Sequence, residues 1–438
     1  MSAVFLPGDA TERSTAELLD NQDPLRHFRE QFVIADDDVC YLDGNSLGRL
    51  PIATREAINS FLDHEWATEV VDGWAHWIDE AQVVGDIVAA AALGTGPGQT
   101  LVCDTTSVNL YQLLGAAIKA RPGRSLILVD AANFPTDRYV VHGLAEAHGL
   151  SIVTLNNDDS GGPGARNIDT VDELITVEAL EPFLTEDVAV LTLQAIHYRS
   201  GARPDVKSIT TLARSRGILV VWDCAHAVGS IDLDFDGNGV DLAVGCTYKY
   251  GNSGPGAPAW LFVRRELQTE LRPPIQGWFA QTDQFAMGPE FEPTDTIRRF
   301  QIASPSIIGL RSVSTAFAMI AEAGIALIET KAALGTELMI ALFDAWLEPL
   351  GFRLGTPRSA NERGGHITIH HPEARQIALA MRTSINVVPD FRMPDGLRLA
   401  MSPLPTSFTE VWDGFARMRD LVASGTYRDM SSEGNRVT

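Results

Sequence analysis

Short apolar, β-branched runs recur along the middle of the chain, over residues 100–104, 125–130, 151–155, 187–194, 217–223, 241–246 and 257–263, with helical segments between them. Seven strands alternating with helices predict an α/β fold whose mostly parallel sheet is covered on both faces. Several runs end on a polar residue, notably Asp104, Asp130, Gln194 and Asp223. Ligands of open α/β sheets bind beyond the carboxyl ends of the strands, so functional groups are to be sought there. Past Pro305 the pattern changes. Long helical stretches over 307–323 and 325–346 lead into the strand-like pieces "HITIHH", "INVVPD" and "LRLAMS", then a closing helix near 408–423. This predicts three parts: an N-terminal segment (1–50), a large domain (51–305) and a smaller α+β domain (306–438). The "GGPG" at 161–164 reads as a loop, and the last dozen residues as frayed.

Composition narrows the function classes. With 438 residues, 45% of them hydrophobic, the chain can bury a large core. Its formal net charge of −23 repels phosphate backbones and anionic membranes, which argues against nucleic acid or a membrane surface as partner. No apolar run approaches the roughly 18 residues of a membrane span, and the N-terminus lacks a basic region followed by an apolar one. Cys40, Cys103, Cys224 and Cys246 show no C-x-x-C spacing and read as reduced, buried small hydrophobes. A cytoplasmic location is expected, and no metal site is indicated.

The stretch "GCTYKYGNSGPG" places Lys249 directly after an apolar run. Alone, such a lysine snorkels to water or pairs with an acid. The preceding run, "VVWDCAHAVG", puts Asp223 at a strand end and His226 three residues on, at the expected entry to a helix, so that Asp223 would face the same crevice as Lys249. A lysine and an acid on adjacent strands can form an ion pair. They also meet the needs of pyridoxal phosphate, which takes a lysine for its Schiff base and an acid for its pyridinium nitrogen. "CDTTSVNLYQLL" adds Thr105, Thr106 and Ser107 at the start of a helix, a set that reads as a simple N-cap or as an anion cradle. The glycines follow the lysine here, so the stretch does not match a Walker phosphate loop.

Taken together, "YLDGNSLGRLP", "FPTDRY", "WDCAHAVG", "GCTYKYGNSGPGAPAWLFV", "GWF" and "LRLAMSPLPTSF" closely resemble the kynureninases, pyridoxal-phosphate enzymes of aminotransferase-like fold (fold type I). The matches keep the family's order from about residue 41 to about residue 420. The resemblance implies hydrolytic cleavage of L-kynurenine or 3-hydroxykynurenine to an anthranilate and L-alanine, in tryptophan degradation. It implies that Lys249 holds the cofactor covalently, that Asp223 meets its ring nitrogen, and that Tyr248 and His226 lie by the phosphate and ring oxygen. Phe134 would stack on the ring with Asp137 close by, while Thr106 and Ser107 take the phosphate. Arg398 would clamp the substrate carboxylate, with Asn45 and Ser46 on the substrate side. Trp278 and Ser304 would reach the neighbouring subunit's site in a homodimer with shared active sites. Tyr248 is the expected proton shuttle, provided that nearby cations favour its phenolate.

Some positions depart from the family pattern. Ala280-Gln281 follows "GWF" where Gly-His is common, Pro405 replaces an aromatic, Gln194 stands where a small hydroxyl is expected, and Ser304 where asparagine is common. These touch the expected substrate wall and leave open a kynureninase-like enzyme of a secondary pathway acting on a ring-substituted kynurenine. Aminotransfer shares Lys, Asp and Arg and also stays open. Desulfuration is disfavoured, since no cysteine follows Cys246 to serve as nucleophile. A catalytically silent scaffold is disfavoured by the intact Lys249, Asp223 and Arg398.

Overall fold

The computed structural model describes residues 6–155 and 174–429, so the loop expected at 161–164 lies outside the described residues, as does the tail from 430. All seven expected strands form: β1 (Thr100–Val102), β2 (Leu126–Asp130), β3 (Ser151–Leu155), β4 (Val188–Gln194), β5 (Leu219–Asp223), β6 (Leu242–Gly245) and β7 (Trp260–Val263). They make one sheet in the order β1-β7-β6-β5-β4-β2-β3. The neighbours β2/β3, β2/β4, β4/β5 and β5/β6 run parallel, whereas β7 runs antiparallel to both β6 and β1. The reversal has a local cause. A parallel return needs a crossover of a dozen or more residues, usually a helix. The link from β6 to β7, residues 246–259, is long enough for such a crossover but holds no helix to cross the sheet, being taken up by the loop that carries Lys249.

The central strands are buried along their whole length, as a sheet covered on both faces requires. Helix α1 (Thr106–Lys119) covers one face and helix α2 (Pro135–His148) packs beside it. Helices α3 (Ile307–Ala323) and α4 (Ile325–Leu342) follow, bent by 82° about Gly324. Among the described residues no single helix is long and apolar enough to cross a membrane. The apolar face of α3, with Leu310, Val313 and Phe317, joins the core of the large sheet. Leu338, Met339 and Leu342 of α4 belong to a second core. Apolar contacts therefore change from one core to the other within α4, between Ile328 and Leu338, rather than at the change of sequence pattern after Pro305.

The second core lies under an antiparallel sheet ordered β10-β11-β9-β8, made of β8 (Arg353–Leu354), β9 (His366–His370), β10 (Asp390–Arg392) and β11 (Gly396–Ala400), closed by helix Phe408–Ser424. The piece "INVVPD" does not form one strand. Val387–Val388 pair in parallel with Cys40–Tyr41, and β10 begins at Asp390. Pro389 between them has no N–H to offer a ladder, and the direction of pairing changes there. The N-terminal segment is thereby tied to the small domain, with Ala16, Leu19 and Leu42 in its core. The four cysteines are free and buried, as expected.

Candidate active site

A cavity of about 470 Å³ opens where the carboxyl ends of β5 and β6 meet the small sheet and the N-terminal segment. Its lining brings together Asn45, Ser46, Thr105, Thr106, Ser107, Phe134, Asp137, Asp223, His226, Tyr248, Lys249 and Arg398. Of the four polar strand ends, Asp223 alone lines it. Asp130 instead accepts from buried His197 at 3.1 Å. Gln194 is also buried away from the cavity, donating to the Ala132 carbonyl at 3.2 Å and accepting from the Tyr198 amide at 3.1 Å. It braces two loops and forms no part of the substrate wall that its departure from the pattern suggested.

The floor is built from the large domain. Thr105 caps α1, its hydroxyl accepting from the Val108 amide, so the amides of Thr106 and Ser107 open the first turn toward the cavity. A helix N-terminus with hydroxyls is a site for an anion. Phe134 stands at the N-cap of α2 with Pro135 at the first helical position, which holds the aromatic at the start of the helix and Asp137 in its first turn. Asp137 and Asp223 crowd each other. Burial is the main cause that raises both carboxyls above the ordinary range, and for Asp137 the charge of Asp223 adds to it. Asp137 Oδ2 is buried without a hydrogen-bond partner, while Asp223 accepts from the Ala225 amide at 2.9 Å.

Lys249 is held by a tight loop. Gly48 donates to the Tyr248 carbonyl at 2.8 Å, and a Cβ on Gly48 would collide with the Lys249 carbonyl and Asn252, so only glycine lets the N-terminal segment approach this closely. Asn252 adopts φ +54° just past the lysine, a conformation asparagine tolerates better than most residues. The ammonium nitrogen lies 3.2 Å from His226 Nε2 and 3.3 Å from Nδ1. Burial above all pulls Lys249 below its ordinary pKa, and burial followed by the Lys249 and Arg398 charges drives His226 well below its own. Burial thus biases the amine toward its neutral form and keeps the imidazole uncharged. Tyr248 behaves contrary to expectation. The neighbouring Cys246 sulfur, followed by burial, pushes its phenol above the ordinary value, the direction opposite to a phenolate.

The roof comes from the small domain. Arg398 on β11 is fully buried and saturated. It donates from Nε and Nη2 to Asp390, from Nη1 to the Tyr198 carbonyl at 2.5 Å, and from Nη2 to Ser46 Oγ at 3.0 Å. With its amide oxygen turned inward, Asn45 lies 3.2 Å from two of the same nitrogens. Asp390, Arg392 and Tyr198 escaped the sequence reading. Strand alternation held a signal for the first two, because Asp390 sits opposite Arg398 in register and Arg392 is two residues on along the same face. Trp278 and Ser304 do not line this cavity. The Trp278 ring is 45% exposed and packs edge-on against Phe279 and exposed Phe285. Gln281, at the departure after "GWF", is engaged within its own loop by the Glu292 amide at 2.8 Å.

These features fit pyridoxal phosphate. An anion cradle, an aromatic at a helix cap, a crowded pair of acids with an unpartnered oxygen and a neutral-prone lysine surround one space. The likeness to known proteins agrees. The model for "Kynureninase C-terminal domain" matches residues 328–418. The chain is 33% identical over 423 residues to the kynureninase of Pseudomonas fluorescens, covering 95% of this chain and 97% of that one. It is 34% identical over 409 residues to the kynureninase of Deinococcus radiodurans, with 92% and 94% covered. Among solved structures, the apo cysteine desulfurase of Thermococcus onnurineus NA1 superposes with a TM-score of 0.73 at 17% identity, over 97% of this chain and 100% of the other. A C-DES variant with glycine covalently linked to its PLP cofactor also reaches 0.73 at 17%, over 90% and 99%. The fold is therefore that of the fold-type I PLP enzymes, and at one-third identity over nearly its whole length the chain belongs to the kynureninase family of PLP-dependent hydrolases.

Proposed function

We propose that this protein uses pyridoxal 5'-phosphate to cleave the Cβ–Cγ bond of L-kynurenine or 3-hydroxykynurenine by hydrolysis, releasing an anthranilate and L-alanine. The observation that carries this reading is a single cavity lined by a half-buried lysine, an anion cradle and a buried arginine. Thr106, Ser107 and the first turn of α1 hold the phosphate. Asp223 would meet the ring nitrogen, and Phe134 would cover the ring. When bound, the cofactor supplies an electron sink for the pair left when the substrate Cα loses its proton.

The chain's own groups do the rest. Lys249, drawn toward the neutral amine by burial, is the base for the Cα proton. Tyr248, whose phenol is pushed above its ordinary value by Cys246 and burial, serves as a proton donor to the carbon left by cleavage. Arg398, fixed by Asp390 and the Tyr198 carbonyl, supplies the positive charge beside Ser46 and Asn45 that draws the substrate carboxylate to this end of the cavity. Trp278 and Ser304, outside this cavity, complete the site of a second copy in a homodimer. Exposed Trp278, Phe285 and Met287 are apolar groups suited to such burial.

Incubation with L-kynurenine and its 3-hydroxy and ring-substituted analogues, following anthranilate fluorescence and alanine, tests the reaction. Alanine from L-kynurenine or its 3-hydroxy form is expected, and no alanine from any of them overturns the proposal. Sedimentation tests the dimer.

A further inference from the structure

Arg398 and Arg392 both line the cavity, but their states differ. Arg398 has no exposure, and each of its nitrogens is engaged by Asp390, the Tyr198 carbonyl or Ser46. Arg392 donates Nε to the same Asp390 oxygen at 2.9 Å, and its side chain keeps 24% exposure. Among the described residues no hydrogen bond reaches its two terminal nitrogens. The register explains the arrangement. Asp390 lies opposite Arg398 on the paired strand, and Arg392 follows Asp390 by two residues, so one carboxylate on one face meets both guanidiniums.

Asp390 is completely buried, and one carboxylate between two arginines leaves one positive charge unmatched within this trio. The unmatched charge sits on the arginine that opens to the cavity. Arg392 lines the same cavity as Lys249 and His226. A guanidinium held by Nε, with both terminal N–H edges free, is set up to grip a carboxylate through two parallel bonds.

We propose that Arg392 is a second carboxylate-binding residue of the active site, with Asp390 fixing its orientation and Arg398 forming the rigid backing. The inference rests on the proposed function for the identity of the substrate. Substrate exchanges bulk water for the open edge of Arg392 and need not break the buried Arg398–Asp390 pair, which would leave a buried acid unpaired.

The test is calorimetric binding to the holoenzyme of two probes that cannot react: desaminokynurenine, the aryl keto acid without the α-amine, and its primary amide. The wild type is expected to prefer the acid, and Arg392→Gln to weaken the acid roughly 10- to 100-fold while changing the amide by less than about twofold. Arg392→Lys, which keeps the charge but loses the fork, is expected between the two. It also serves if the glutamine variant fails to fold. Equal losses for acid and amide, no loss for either, or no acid preference in the wild type overturn the inference. Alanine release from L-kynurenine without the acid-against-amide contrast defeats this inference alone. The contrast without alanine release defeats the proposed reaction and leaves the carboxylate site standing.

Discussion

The two ends of the cavity solve the problem of buried charge in opposite ways. On the large-domain side, Asp137 and Asp223 crowd together, Asp137 keeps an oxygen without a partner, and Lys249 has only the uncharged His226 within hydrogen-bond reach among the described residues. On the small-domain side, Arg398 is saturated by a carboxylate, a carbonyl and a hydroxyl. Unsatisfied buried polar groups cost free energy, so a folded protein keeps them where another molecule will satisfy them. The contrast teaches that the large-domain end is shaped around a resident group that the chain lacks. At the small-domain end the buried cation Arg398 is satisfied within the chain, while one oxygen each of Asp390 and Asp43 has no partner and Arg392 keeps an open edge for a visitor.

The largest break in this contrast comes from Lys249→Ala, which removes both base and covalent anchor. Turnover should fall by about 10,000-fold or more, and borohydride should no longer fix the cofactor to the chain. Retention of substantial turnover would place the base elsewhere. Next, Asp223→Asn should cost about 100- to 10,000-fold in kcat through loss of the group facing the ring nitrogen. The same change relieves the crowding with Asp137, so the apoenzyme should melt no lower than wild type, and a marked drop would contradict the picture of two strained acids.

The smallest effect sharpens the other end. Asp43, beside the roof, is pushed up to about 6 by burial and then by the Asp390 charge. A carboxyl raised in the folded state binds protons there that the unfolded chain has released. Stability from this group is therefore greatest below the unfolded value near 4 and declines as pH rises toward 6. Asp43→Asn should flatten that decline and gain on the order of 2 kcal/mol over wild type above pH 6 in denaturant titrations. Parallel pH profiles for the two proteins would show that Asp43 is not strained.

Much of the large domain was legible because its signals are local. A strand buried on both faces must be apolar throughout, and an N-cap cluster or a lysine flanked by tyrosines lies within one contiguous stretch. Lys249, Asp223, Thr106 and Ser107 were readable in that way, and the resemblance added Phe134, Asp137 and Arg398. Other features needed three dimensions. The shift of Tyr248 runs against the expected phenolate, because Cys246, two residues away in sequence, and burial both push the phenol above its ordinary value. Gln194 turned out to be a brace, since only folding shows which loops its amide can reach.

From the sequence alone came the seven apolar strands, the helices after residue 305 and the residue types for lysine-centred cofactor chemistry, because periodicity and composition act over a few residues at a time. Tertiary structure decided that β7 runs against its neighbours, that α3 serves the core of the large sheet, and that residues 40–48 pack onto the small domain and the lysine loop. It also decided that one buried aspartate joins Arg398 to Arg392. Such choices depend on cross-strand register and on burial shared by segments hundreds of residues apart, where the chain's order carries no distance information.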